Sequence, residues 1–167
     1  MPFRVPLLFP VAIVLERVDI TATEAAGRYH PVFRTPIQIN SGGSVAEGSL
    51  YQAAVRVPVQ FEIADEEQLR MAGLGDAPVS NEVYVAHRRD LLSLGLLEGG
   101  VFNGKPLISK NDRITAIEKN KWPGVVVRDL PEPLYILEVE SGSPGMGPAG
   151  FDLAIIYVAD RSKLDKA

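Results

Sequence analysis

The sequence contains no cysteine, which excludes disulfides, thiolate nucleophiles and any zinc site built on sulfur. Histidine is nearly as scarce: there are two, His30 and His87, and neither stands in a spaced set such as His-Glu-x-x-His. No serine has the Gly-x-Ser-x-Gly setting of a nucleophile elbow. Gly142-Ser-Pro-Gly145 lacks the spacing and places Pro144 where an oxyanion-hole amide is needed. The glycine runs at 42–43, 99–100 and 142–150 do not match a phosphate loop, and Asp65, Glu66 and Glu67 read as the first turn of a helix. No catalytic, metal-binding or cofactor-binding residue emerges. The expectation is a protein that is not an enzyme, with a hydrolase drawing carboxylates from separate strands as the trailing alternative.

Long hydrophobic runs are also missing. Met1 to Leu15 is apolar but broken by Pro6 and Pro10, well short of the ~20 residues that span a bilayer, so neither a membrane segment nor a signal peptide is expected. Charge of one sign does not dominate: 17 Lys and Arg face 21 Asp and Glu, a formal net charge of -4. That balance argues against general affinity for nucleic acid, though not against a local basic patch.

What is present is strand-forming sequence. Between Tyr51 and Ile63, Val55, Val57, Val59, Phe61 and Ile63 alternate with Arg56, Pro58, Gln60 and Glu62, the period of a half-buried strand. Pro58 lacks a donor and suggests an edge or a bulge. Further strands are expected at Val11–Ile20, Val32–Ile39, Glu82–Ala86, Asp112–Ile117, Val125–Val127, Leu134–Val139 and Phe151–Ala159. The last is apolar on both faces, as a strand covered on both sides would be. Asn40 to Ser44 reads as a flexible turn, and short helices are expected at Asp65–Ala72 and after a capping Asp90, the latter stopped near Gly95. The Leu91–Leu97 run is expected to plug one side of the sheet.

The fold expected is mostly β: a small β-barrel or sandwich with one or two short helices and extended loops. It would comprise an extended arm at 1–10, one β-rich domain at 11–160 with a long 21–49 excursion and a 141–150 loop, and a tail at 161–167. Lys105, Lys110, Arg113, Lys119 and Lys121 outnumber the acids between Asn103 and Trp122. With Arg88 and Arg89 they form the candidate nucleic-acid-contacting set, should folding gather them. The opposing reading, favoured here, is an ordinary wet turn whose Trp122 anchors the core. Arg4, Leu7, Leu8, Phe9 and Met146 are the candidate partner-contacting residues, on the arm and on the mobile-looking 141–150 loop.

Taken together, the Val11–Ile20 strand, Tyr51-Gln-Ala-Ala-Val-Arg-Val-Pro-Val-Gln-Phe-Glu62, Gly104-Lys-Pro-Leu-Ile-Ser-Lys-Asn-Asp-Arg-Ile114 and the closing pair Leu134–Val139 and Phe151–Ala159 resemble tailed-bacteriophage neck proteins. The resemblance is to the head-completion or stopper group. It implies a homo-oligomeric ring in the virion neck, assembled in the host cytoplasm between portal or adaptor and tail proteins. Such a ring retains packaged DNA and contacts it without sequence preference, and needs no cofactor or membrane. A tail-terminator or tail-completion subunit, or a β-barrel module for another ligand or nucleic acid, shares much of this profile.

Overall fold

A computed structural model describes residues 10–25, 39–41, 44–46, 50–63, 82–101, 103–110, 112–141 and 152–160. The expected arm residues Arg4, Leu7, Leu8 and Phe9, the 65–72 helix, Met146 with its loop and the 161–167 tail lie outside them. So does most of the 32–39 strand.

The described strands are β1 (Pro10–Glu16), β2 (Ile39–Ser41), β3 (Ser44–Ala46), β4 (Val55–Ile63), β5 (Glu82–His87), β6 (Leu97–Glu98), β7 (Lys105–Pro106), β8 (Arg113–Lys119), β9 (Val126–Ser141) and β10 (Leu153–Asp160). Two short helices accompany them, α1 (Ile20–Ala25) and α2 (Arg88–Ser93). Six of the strands close a barrel in the order β1-β4-β5-β10-β9-β8, every neighbour antiparallel. Of the two architectures expected, the barrel is the one found.

Alternation builds the interior. Ile13 and Leu15 of β1, Val57 and Val59 of β4, and Tyr84 and Ala86 of β5 point inward. Ile114 and Ile117 of β8, Leu134 and Ile136 of β9, and Ala154, Ile156 and Val158 of β10 complete the ring. Each fully buried aliphatic side chain contributes roughly 1.5–3 kcal/mol. On β10 the outward residues Tyr157 and Ala159 are buried too, beside Val83 and Val85 of β5, so this strand is covered on both faces as its composition implied.

Several expectations are corrected. Pro58 is not on an edge: β4 lies between β1 and β5 in the closed barrel. Proline is tolerated because the β4–β5 ladder begins one residue later, at Val59↔Ala86, so no β5 partner stands opposite Pro58. Ile63, at the far end of the same alternation, still pairs with Glu82 of β5 but is 73% exposed. The first strand ends at Glu16, not Ile20; Asp19 instead caps α1, its Oδ1 accepting the Ala22 N–H at 2.9 Å. Around the Gly-Gly pair, β2 and β3 form a small antiparallel hairpin, Ser41 opposite Ser44. Val126, Val127 and Leu134–Val139 belong to one 16-residue strand, β9, and Val125 lies in the turn before it. Its ladder with β8 jumps from Ala116↔Asp129 to Ile114↔Leu134, and the intervening Leu-Pro-Glu-Pro bulges where its prolines need no ladder donor.

Because the strands alternate in direction, the barrel has two chemically distinct ends. The upper end receives the C-terminal ends of β1, β5 and β9, and the lower end those of β4, β8 and β10. At the upper end, Leu91 of α2 with Leu96, Leu97 and Ile108 joins the core cluster, so the leucine run closes the barrel as a plug. Asp90 lies in the first turn of α2 and is not its cap; His87 holds that position. The helix stops in a Schellman arrangement: Leu96 N–H donates to the Leu91 carbonyl, Gly95 N–H donates to that of Leu92, and Gly95 has φ +70°.

Candidate functional site

Among the described residues, the lower end presents an exposed apolar and cationic tip. The β8–β9 hairpin turns through Asn120 to Val125, with Gly124 at φ +78°. Trp122 is 60% exposed there, and Val125, Val126 and Val127 are 43–53% exposed. Trp122 therefore does not anchor the core, contrary to the favoured reading of the sequence. Lys119 and Lys121 are also exposed, and the Lys119 ammonium lies 5.6 Å from the indole centroid, within cation–π range.

This tip is held stiffly. Arg56 of β4 donates from Nε to Glu118 Oε2 at 2.6 Å and from its terminal nitrogen to the carbonyls of Lys119 and Asn120. The same Glu118 oxygen accepts the Gly124 N–H at 3.0 Å. These two donors, Gly124 first and Arg56 second, hold the Glu118 carboxyl below the usual glutamate range. A depressed acid stabilises the fold above its unfolded pKa and loses that contribution as pH falls through the folded value. The clamp should thus release only under acid. At neutral pH, Arg56→Ala is expected to lower the fluorescence anisotropy of Trp122, the sole tryptophan, while the unfolding midpoint moves by no more than a few degrees. Unchanged anisotropy would mean that the turn is stiff without Arg56.

Just inside the lower mouth, the Arg128 guanidinium pairs with Glu82, whose other oxygen accepts the Tyr84 hydroxyl at 3.0 Å. Burial, then the Glu82 charge, pushes the Tyr84 phenol far above its ordinary value. This trio caps the apolar interior from below.

The upper end carries a different cluster. Arg88 is 1% exposed and donates from Nε to the Val101 carbonyl at 2.5 Å and from a terminal nitrogen to the Gly104 carbonyl. Burial lowers its pKa and the charge of Asp152 opposes that shift. Gly104 is obligatory in this fold-back, because a Cβ there would lie 2.4 Å from the Gly100 oxygen and 2.8 Å from that of Glu98. Asp152, 5% exposed, faces His87 Nδ1 at 3.9 Å and Arg89 Nε at 3.6 Å.

The seven candidate basic residues are therefore not one patch. Burial removes Arg88 from any contact surface. Arg113 is committed to Glu16 at 2.7 Å, with its guanidinium 3.8 Å over the Tyr51 ring. Arg89, Lys105 and Lys110 belong to the upper end, Lys119 and Lys121 to the lower, and the length of β8 separates the two groups.

Sequence reasoning missed Asp112. Its carboxylate is 1% exposed and accepts the N–H groups of Val18 and Ser109, each at 2.8 Å, while its carbonyl accepts Ile136 N–H. Among the described residues, no group of three or more His, Cys, Asp or Glu side chains converges as metal ligands would, and no helix is long and apolar enough to cross a membrane. Neither protein-family models, nor curated proteins, nor solved structures give a match to this chain.

Proposed function

We propose that the chain is a non-enzymatic structural subunit of a tailed-phage neck ring, joining head to tail and helping to retain packaged DNA. The observation that carries this reading is the way the barrel distributes its surface. All six strands find partners within the chain, leaving no open barrel for neighbours to complete. Contacts are then made by side chains on the closed barrel's outer face and by what projects from its ends. Both ends are furnished: a plugged upper end bearing α2, β6 and β7, and a lower end bearing an exposed apolar and cationic tip. A subunit stacked between two different rings requires such two-ended contact. A tail-terminator role meets the same requirement on one side only.

DNA contact in the channel would come from one end at a time, through Lys119 and Lys121 or through Arg89, Lys105 and Lys110, and would weaken with salt. Immunogold labelling of intact tailed particles with antibody against the purified chain should place label at the head–tail junction. Label at the distal tail, or none on particles shown by mass spectrometry to lack the chain, would overturn the proposal.

A further inference from the structure

Resting on that ring reading, we infer that the Trp122 hairpin tip of one copy docks on the acidic outer face of β9 of the next copy. A ring closes through a heterologous interface, in which one patch of each subunit meets a different patch of its neighbour. The tip supplies the first patch. Trp122 and Val125–Val127 offer an exposed apolar surface, and Lys119 and Lys121 flank it with positive charge. The Arg56–Glu118 clamp holds the tip in shape before it binds, which lowers the ordering cost of association.

The second patch lies on the later half of the same strand. Glu138 pairs in register with Tyr157, and Glu140 accepts the Tyr157 hydroxyl at 3.0 Å, so both carboxylates share the outer face of the barrel with that ring. Glu138 is exposed, as is Glu132 in the proline bulge below it. Tyr157 itself is buried, so the surface offered to a partner is the exposed carboxylates of Glu132 and Glu138, which suit a tip that brings two lysines.

The two patches cannot meet within one copy. Val126 and Glu138 stand on one strand, and the neighbouring registers, Glu118 to Ile114 on β8 and Asp160 to Tyr157 on β10, put them roughly 20–25 Å apart at ~3.3 Å per residue. Only another molecule can bring them together, and a ring supplies an identical one.

The absence of native cysteine makes the contact directly readable. Chains carrying Lys121→Cys are mixed with chains carrying Glu138→Cys, at high concentration and in assembled particles, and treated with a short bis-maleimide. A cross-linked pair joining the two variants is expected, and a chain bearing both substitutions should give a ladder of covalent oligomers. Separately, Lys121→Glu should weaken self-association roughly tenfold, and Glu138→Lys in the same chain should restore it. Cross-links confined to pairs of Lys121→Cys chains would overturn the inference, since they mean tip meets tip. So would binding of phosphatidylserine vesicles or duplex DNA that depends on Trp122 while no mixed pair forms. Neck labelling without the mixed cross-link would sink this contact and leave the ring reading standing; the mixed cross-link without neck labelling would do the reverse.

Discussion

Arg88→Ala should destabilise the fold by about 3–5 kcal/mol, the largest effect expected of any single substitution considered. The side chain is among the largest fully buried in the protein, and it is the donor that ties the 101–104 segment to the start of α2. Without it, the buried Gly104 carbonyl and the partly buried Val101 carbonyl lose charged hydrogen bonds, and Asp152 loses a nearby cation. Arg88→Met separates these effects from cavity formation. It keeps most of the volume, so the loss that persists, about 2–3 kcal/mol, belongs to the carbonyls. Urea unfolding followed by far-UV circular dichroism gives both values. A midpoint for Arg88→Met equal to that of the parent chain would mean that the guanidinium fills space and does nothing more.

Asp112→Ala follows, with an expected loss of about 2–3 kcal/mol, because a buried carboxylate that holds two part-buried N–H groups is removed and both lose their acceptor. The carboxylate joins three stretches of chain: Val18 beyond β1, Ser109 before β8, and its own backbone link to Ile136 in β9. Its pH behaviour is opposite to that of Glu118. Burial raises the Asp112 pKa and outweighs the lowering by the Ser109 and Val18 donors and by the charge of Arg17. With the folded value above the unfolded one, the native state holds its proton more tightly. This site's contribution is therefore fully present below the unfolded pKa and fades as pH rises through the folded value. Asp112→Asn retains one acceptor and cannot titrate, so its stability profile should lack that acidic gain. An Asn variant that still gains stability on acidification by the parent's increment would assign the effect to another group.

The contrast between these two residues and the barrel strands shows what local sequence encodes. Alternation at Val55–Phe61 is a one-dimensional signal, and the barrel uses it directly. Leu91–Leu97 announced a plug by composition alone, and Gly95 marked where its helix stops. Arg88 and Arg89 are adjacent and chemically identical, yet the turn from β5 into α2 buries one and leaves the other partly exposed; nothing local distinguishes them. Asp112 reads as a turn residue because its decisive partner, Val18, is 94 positions away. The basic residues between 105 and 121 looked like one patch because they are close in sequence. The seven residues of β8, at ~3.3 Å each, instead carry the chain from one end of the barrel to the other. The cap at Asp19 was a local signal, an acid directly before Ile20-Thr-Ala-Thr-Glu24, but the strand expected through Ile20 overrode it.

The strand directions also give the molecule a handle. Pro10 begins β1 and Asp160 ends β10 at the same lower end, beside the Trp122 hairpin, with the leucine plug at the opposite pole. A sensor surface that grips the polypeptide beyond either of those residues would hold every molecule in one orientation, displaying α2, β6 and β7 to the solution while crowding the tryptophan tip against the support. Moving the attachment point to Lys105 would invert that display, so the choice of tether alone would select which half of the binding surface is sampled.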